Sequence, residues 1–510
     1  MALDLALHIA LSGISANQRA LQQTSHNIAN ADSAGFTKKR VAVTSQEFQG
    51  HPLGVRAGEA LRDVDLALLA ERDGRGAAAA AAELRARILQ PVEAIQGRPE
   101  DNISLGARVA ALSQGFTALR DSPADPELMR AALRLADEAA MQFRDSAGAV
   151  QSARRQAQDG IVTEVGRIND TLREMADLTR VIRAEVVTGR SVAELEDQRD
   201  VLLNRLSESL PVRGLRQPDG GIVLLARNGI TLPLPTARED VFSTTNAAPG
   251  PEAYYGPGGS LPGVMQGAID VTRQLTGGRL AELVTLRDTV LPRMQAELDV
   301  AAVELAGRLE AVGLRLFTDA AGVVPDRLAG HVAGGHLGFA ARIRVNPDLP
   351  PNALMLRDGT HATAGGPGQP SAFTPNPPGG PVGFTALLDR VLDHALGENA
   401  APGQPWGAFA LSGLGPQGDI SSAIANPRDV ADFANQAVRL HTEARAEASA
   451  AAEAAGRMRD GMEARIRDRS GVDTDEEMAM LMRLQNAYAA NARVMSTAQS
   501  MWDALLGAVR

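Results

Sequence analysis

The chain has 510 residues and a formal net charge of -10. This acidic balance gives no electrostatic footprint for nucleic acid, so we expect no nucleic-acid partner. Cysteine is absent, which excludes disulfides, thiolate metal sites and cysteine nucleophiles. Aromatic residues make up only 3% of the chain, whereas Ala and Leu are abundant. That composition favours helices packed side by side over an aromatic-rich enzyme core.

The first segment is predicted to be an amphipathic helix that ends in a polar turn. Its apolar and small positions step by fours and threes, the spacing of a coiled-coil seam. The seam positions are Leu7, Ile14, Leu21 and Ile28. After the helix come small polar residues and Gly35, which can adopt the left-handed conformation that ends helices. The segment carries Asp4 and no basic region before its apolar run, so we expect no cleaved secretory signal.

The next part of the chain alternates extended and helical patterns. Residues 41–62 read as extended or irregular, and residues 64–96 as helix with the run Ala77 to Ala82 covered by a neighbour. Asp125 followed by Pro126 predicts a helix start, and the stripe from Ile161 to Val186 keeps coiled-coil spacing. We therefore predict a long helix to about residue 187, a break at Gly189, and a second helix to residue 210.

The middle of the chain changes character. Two short apolar runs flank Asn228-Gly229, which predicts a β-hairpin between residues 220 and 232 in a small β-rich insert. Helical spacing returns over 278–312, and that helix is expected to pack antiparallel to the long one. Residues 340–345 are compatible with a short strand, and 365–381 with a Gly/Pro-rich loop.

The last block, residues 427–505, is Ala-rich and helical, with an interruption near Ser470-Gly471. Its final part repeats the alternation of three and four that marks the first helix. The seam positions there are Leu481, Tyr488, Met495, Trp502 and Leu505. This stripe mirrors the one in the first helix.

The sequence does not predict a catalytic, metal or cofactor site. His331 and His336 are close in sequence but have no Cys or nearby carboxylate, so we expect no metal, cofactor or catalytic residue there. The run Gly413 to Gly418 matches G-x-G-x-x-G without a preceding strand, which argues against dinucleotide binding. The acidic residues from Asp473 to Glu477 precede a helix, where they are expected to complement its dipole.

Two motifs resemble signatures of a known family. The N-terminal motif consists of Asn27, Ile28, Ala29, Asn30, Gly35 and Phe36. It resembles the signature shared by the axial proteins of the bacterial flagellum, although His26 and Phe36 stand where Asn and Tyr are usual. The C-terminal motif, Gly471 to Glu477 with the helix after it, is most similar to the hook-associated protein 1 family, which forms the hook-filament junction.

The resemblance implies a mainly α fold with a β-rich insert, a coiled coil of terminal helices, a long-helix bundle domain and a small outer β domain. The implied domains are 1–45 with 472–510 for the inner coiled coil, 46–209 with 269–318 and 415–471 for the long-helix bundle, 210–268 for the β-rich insert, and 319–414 for a mixed or loop-rich region.

It also implies a non-enzymatic structural adaptor that joins hook to filament and self-assembles through its terminal helices. Export through the flagellar type III apparatus, without a cleaved signal, would place it outside the cell in the flagellum. The implied partners are copies of itself, the hook protein, a second junction protein and an export chaperone on the C-terminal helix. Membrane insertion is not expected, because no apolar run reaches the roughly 18–20 residues that span a bilayer.

Other functions stay open from the sequence. A different axial protein, such as a hook or distal-rod protein, would share the N-terminal motif. A hydrolase carried in the middle region would need an acid pair or a Ser-His arrangement, and none stands out. A regulatory coiled-coil module would remain in the cytosol.

Overall fold

Long helices dominate the structure, a computed structural model that describes residues 2–48, 51–98, 100–227, 229–236 and 239–508. The helices are α1 (Ala2–Ala29), α2 (Leu66–Gln96), α3 (Leu105–Asp121), α4 (Pro126–Val187), α5 (Ala193–Ser209), α6 (Gly278–Thr285), α7 (Leu291–Val312), α8 (Met355–Asp358), α9 (Ala386–Arg390), α10 (Val430–Ser470) and α11 (Thr474–Ala508). The predicted fold class, mainly α with a β-rich insert, is confirmed. The domain boundaries stay a prediction.

The strands are short apart from the first two. They are β1 (Lys39–Phe48), β2 (His51–Arg62), β3 (Val212–Arg216), β4 (Ile222–Ala226), β5 (Thr231–Leu232), β6 (Phe242–Ser243), β7 (Met265–Gln266), β8 (Ile269–Asp270), β9 (Phe317–Thr318), β10 (Arg344–Val345), β11 (Asn399–Ala401) and β12 (Gln404–Pro405). The pairs β1–β2, β3–β4–β5 and β6–β7–β8 are antiparallel.

The long helix α4 has the start and the break that the sequence predicts. Asp125 caps it, accepting hydrogen bonds from the backbone N–H of Glu127 at 2.8 Å and of Leu128 at 3.4 Å. The predicted stripe is buried from Ile161 to Ile182. At 62 residues, α4 is about 90 Å long at 1.5 Å per residue. Helix α5 begins after the break at Gly189, where φ is +68°.

Helices α6 and α7 run antiparallel to α4, as expected. Glu164 lies beside Arg279, with 3.6 Å between Oε1 and Nη1, and Arg154 Nε donates to the carbonyl of Arg287 at 2.9 Å. A single π-helical turn, Leu286–Val290, separates the two helices. Pro292 explains it, because a proline ring clashes with the carbonyl four residues earlier and the wider turn relieves that clash.

Helix α2 packs antiparallel to α10. His441 Nδ1 lies 2.8 Å from Gln96 Oε1, and Arg445 Nε lies 3.0 Å from Glu93 Oε2. The alanine run predicted to be covered contributes the buried residues Ala77, Ala79 and Ala80. Helix α2 continues through Pro91.

The β-rich insert contains the predicted hairpin of β4 and β5, in which Leu224 pairs with Leu232. Asn228 of its turn lies outside the described residues. The sequence reading missed β3, which pairs with β4 from Val212 to Arg216. Gln217-Pro218-Asp219-Gly220 between them is a turn signal that could have revealed it.

The loop-rich region 319–414 is anchored to the same hydrophobic core as the helices. Phe339, Ile343, Leu356 and Leu388 are all fully buried. The proposed strand at 340–345 is reduced to Arg344–Val345, paired with Phe317–Thr318. The Gly/Pro-rich stretch 365–381 is a loop apart from one bridge between Thr363 and Phe373.

Two further elements were not predicted as such. Residues 41–62 were predicted to be extended or irregular, whereas β1 and β2 pair antiparallel and lie against α1. Helix α3 lies between α2 and α4. None of the helices in the described part of the chain is long and apolar enough to cross a membrane.

Candidate assembly site

The two terminal helices lie against each other and run in opposite directions. Asn27 near the end of α1 contacts Glu477 at the start of α11, and a Cβ on Gly13 would lie 2.9 Å from Asn491 Nδ2. Small residues dominate the buried face of α1, where Ala10 and Ala16 are almost inaccessible. The two sequence motifs, far apart in the chain, therefore meet in space.

Asn27 is the centre of that meeting. Its side chain is 1% exposed. The amide Nδ2 donates to the carbonyl of Lys39 at 2.9 Å and to Glu477 Oε2 at 3.0 Å, and Oδ1 accepts from the N–H of Lys39 at 3.3 Å. One buried amide thus joins the end of α1, the start of β1 and the start of α11. Its donors and acceptor are all used, as burial of a polar group requires.

The polar turn between α1 and β1 is closed by its own motif residues. Asn30 Nδ2 donates to the carbonyl of His26 at 3.0 Å, and Ser33 Oγ donates to Asn30 Oδ1 at 3.2 Å. Gly35 has φ of +80°, and a Cβ there would lie 2.4 Å from Val201 Cγ2 on α5. Both the left-handed backbone and the contact with α5 therefore require glycine.

Phe36 packs among cationic and aromatic side chains at the end of this turn. Lys39 Nζ lies 3.5 Å from the centre of its ring, and the His26 ring meets it edge-on at 5.5 Å. Of the other motif positions, Ile28 is half-buried and Ala29 is exposed.

Lys38 links the turn to the acidic residues that begin α11. Its Nζ lies 2.6 Å from Glu476 Oε2 and 3.0 Å from Glu477 Oε1. Burial lowers the pKa of Lys38, but the hydrogen bonds to these two carboxylates outweigh that effect, so its pKa is raised. In turn, the hydrogen bond from Lys38 lowers the pKa of Glu476.

The acidic segment therefore does more than complement a helix dipole. Asp473 caps α11, accepting from the N–H groups of Asp475 at 2.9 Å and Glu476 at 3.1 Å. Glu476 and Glu477 instead point at the N-terminal turn, and Glu477 is 4% exposed. The interpretation of the whole cluster as dipole compensation was thus too simple.

Lys39 fastens the turn to the helical body. Its Nζ lies 2.6 Å from Asp197 Oδ2 on α5, and both side chains are buried. Asp197 also accepts from Thr37 Oγ1 at 2.7 Å and lies 2.8 Å from Arg62 Nε. Arg62 extends the network to Asp200, with 2.5 Å between Nη2 and Oδ2.

Sequence reasoning missed Asp197, Arg62 and Asp200. One signal was available, because Lys38 and Lys39 are the only lysines in a chain that otherwise uses arginine. Their placement directly after the N-terminal motif marks the joint between the terminal helices and the body.

The predicted seam residues follow the contact between α1 and α11 only in part. Ile14 is buried, and Leu7, Leu21, Leu481, Tyr488 and Met495 are half-buried. Trp502 and Leu505 remain 42% and 56% exposed. The antiparallel register places Trp502 beside the first residues of α1 and carries Leu505 beyond them.

Two family models match parts of the chain. A family model for the helical domain of the flagellar hook-associated protein FlgK matches residues 89–315. A second model, for the C-terminal part of the flagellar basal body rod FlgEFG proteins, matches residues 468–508, the end of α10 with α11.

Two relatives match over almost the whole chain. Flagellar hook-associated protein 1 of Escherichia coli is 23% identical, with 98% of each chain covered. Flagellar hook-associated protein 1 of Bacillus subtilis is 21% identical over 98% of this chain and 97% of its own. The chain is thus similar to hook-associated protein 1 over almost its full length. The solved hook junction protein FlgK of Burkholderia pseudomallei aligns with a TM-score of 0.41 and 20% identity, covering 50% of this chain and 45% of that one.

The structure also places the glycine-rich run that the sequence analysis considered for dinucleotide binding. Gly413 to Gly418 forms a tight turn closed by a bridge between Leu414 and Ile420, and no helix follows it directly. Within the described residues, no three or more His, Cys, Asp or Glu side chains are grouped to hold a metal ion.

Proposed function

We infer that this chain is a structural adaptor subunit that joins the flagellar hook to the filament. The observation that carries the inference is the meeting of the two terminal motifs at Asn27, Lys38 and Glu477. These contacts join α1 to α11. The polar network around Asp197 then connects the two terminal helices to the body of long helices.

The terminal pair would assemble with other copies through the apolar surface that it leaves uncovered. Leu11, Met478, Trp502 and Leu505 are each more than 40% exposed. Burying a side chain of this size is worth about 1.5–3 kcal/mol. Neighbouring subunits that cover several of them would supply the free energy of assembly, and the seam residues would then lie inside the assembled layer.

The partners proposed for this surface are further copies of the chain, the hook protein on one side and a second junction protein on the other. Before assembly, an export chaperone would hold α11, because the exposed apolar residues of α11 need cover in the cell. The protein would leave the cell through the type III apparatus without a cleaved signal and act outside it.

The assembly surface is tested by Trp502→Asp combined with Leu505→Asp in a strain that lacks the native gene. Both side chains are exposed, so the isolated chain should fold normally. We expect electron microscopy to show hooks without attached filaments. The matched control is Leu328→Asp with Val382→Asp, which are 68% and 63% exposed but lie far from the terminal pair in sequence. Normally attached filaments in the first variant would show that the surface is misassigned.

The same strain separates the junction role from that of another axial protein. Loss of a hook or rod protein would remove the hook itself, whereas loss of a junction protein leaves hooks intact.

Chaperone binding is tested by a pull-down with residues 476–510 deleted, and undiminished capture would contradict a site on α11.

A further inference from the structure

Two histidines in the loop-rich region are buried without the partners that buried polar groups normally have. His331 and His336 lie in the glycine-rich loop after β9 and are 3% and 2% exposed. Buried side-chain nitrogens are hydrogen-bonded as a rule, and an exception calls for a specific explanation such as an ion or a water.

The hydrogen bonds of His336 determine which of its nitrogens is free. Its Nε2 lies 2.8 Å from the carbonyl oxygen of Asp326. A carbonyl only accepts, so Nε2 carries the proton and Nδ1 presents a lone pair. Within the described chain, this Nδ1 and both ring nitrogens of His331 have no hydrogen-bond partner.

The two rings lie close together and nearly at right angles. Their centres are 5.4 Å apart and their planes are at 84°. That separation accommodates one ion at the usual distance of about 2.0–2.1 Å from an imidazole nitrogen. Burial, with a smaller contribution from His336, lowers the pKa of His331 to about 4, so its ring is neutral near pH 7.

We propose that His331 and His336 form a two-histidine site for a divalent transition-metal ion of the zinc and copper class. The bond from His336 to the carbonyl of Asp326 is the support that metal-binding histidines usually have, because it fixes the tautomer and the ring orientation. Imidazole is a ligand that suits Zn²⁺, Cu²⁺ and Ni²⁺.

The glycines of the loop make the site possible. A Cβ on Gly334 would lie 2.7 Å from His336 Nε2, so a larger residue would push the ring aside. Gly330 and Gly335 have open space where a Cβ would point. Among the described residues no third His, Cys, Asp or Glu joins the pair, so water would complete the coordination.

The bound ion would fasten a loop that is already held at one end. Asp299 on α7 accepts hydrogen bonds from the N–H groups of Gly338 at 2.8 Å and Ala340 at 2.9 Å, just after His336. The ion would secure the preceding turn and so hold residues 326–340 on the helical body. This proposal does not depend on the junction function.

The test is titration calorimetry of the full-length, chelator-treated protein with Zn²⁺ alone near neutral pH. We expect one ion per chain. His331→Ala and His336→Ala should each weaken binding by at least about tenfold, because even second-shell changes cost that much. His361→Ala, a half-exposed histidine in the same region, is the control and should bind as the wild type does.

Spectroscopy of the wild-type protein keeps the test independent of how the variants fold. With Cu²⁺ as probe, electron paramagnetic resonance should show coordination by two imidazole nitrogens. The proposal is overturned if the wild type binds no stoichiometric Zn²⁺, if both alanine variants bind it unchanged, or if the copper spectrum shows no imidazole pair. In those cases the two rings simply pack edge to face.

Discussion

The terminal helix pair and the helical body bury apolar surface in different ways. In the body, Leu172, Leu298 and Phe433 are completely inaccessible and belong to one continuous core. In the terminal pair the fully buried positions are mostly small, and Trp502 and Leu505 stay exposed. The body can therefore be stable alone, whereas the terminal pair depends on neighbours to complete its packing.

The joint between these regions is polar. Lys39, Asp197 and Arg62 are charged and buried together, and Asn27 and Glu477 sit beside them. Charges and hydrogen bonds are directional, so such a joint specifies one orientation of the terminal pair, while contributing less net stability than an apolar core would.

The largest effect is expected at this joint. Asp197→Ala leaves Lys39 and Arg62 buried without their shared carboxylate, which typically costs about 3–5 kcal/mol. Hydrogen exchange at Thr37, whose N–H donates to Asp197 at 3.1 Å, should become much faster. Asp177→Ala is the control, because its pair with Arg180 is exposed and contributes little. Equal exchange in both variants would mean that the joint is not held by this network.

The contrast in packing predicts a second difference. Leu298→Ala removes a completely buried side chain and should lower the free energy of unfolding by about 2–5 kcal/mol. Met495→Ala in the half-exposed seam should cost under about 1 kcal/mol in the monomer. Urea titrations followed by circular dichroism measure both. Equal costs would show that the terminal pair is as well packed as the body.

A buried carboxyl group in the body should make stability depend on pH. Burial raises the pKa of Asp299 to about 7, against the hydrogen bonds from Ala340 and Gly338 that lower it. The folded chain thus keeps a proton that the unfolded chain releases near its ordinary pKa of about 3.9. Asp299 therefore makes stability fall as pH rises from about 4 to 7.

The variant Asp299→Asn should remove that slope. It should also cost about 1–3 kcal/mol, since an amide cannot accept from both backbone N–H groups. Urea titrations at the two ends of this pH range measure both effects. A slope that persists in the variant would assign the pH dependence to another group.

The smallest effect concerns Gly35 in the motif turn. Gly35→Ala and Gly189→Ala both place a side chain at positive φ, which costs about 1–2 kcal/mol. Only Gly35 also faces Val201, whereas Gly189 has open space. Thermal unfolding should therefore show a larger loss for Gly35→Ala. Identical losses would mean that α5 moves away freely and that the turn is not pressed against it.

Much of the helical architecture could be predicted from local pattern. Asp125 and Pro126 predict where α4 begins, and Gly189 predicts the break that follows it. The stripe from Ile161 to Ile182 predicts its buried face. These features act between residues a few positions apart, where spacing and capping chemistry are readable. The pairing of α1 with α11 was expected from the resemblance to flagellar axial proteins rather than from local pattern.

The polar joint was not predictable in this way. Nothing in the local sequence links Lys39 to Asp197. The acidic residues at the start of α11 have an ordinary helix-capping interpretation, which Asp473 alone fulfils. The burial of residues 319–414 could not be predicted from the sequence either, because irregular backbone has no hydrophobic periodicity. Long-range contacts hold this region in place, such as the hydrogen bond from the Gly338 N–H to Asp299.

The sequence by itself determined the helices, their caps, the break before α5 and the motifs that mark the family. Only the tertiary structure decided that Asn27 and Glu477 share a hydrogen bond and that Lys39 reaches α5. The physical reason is range: helix spacing and capping depend on neighbours within a few residues, whereas a buried ion pair depends on where distant segments are brought together.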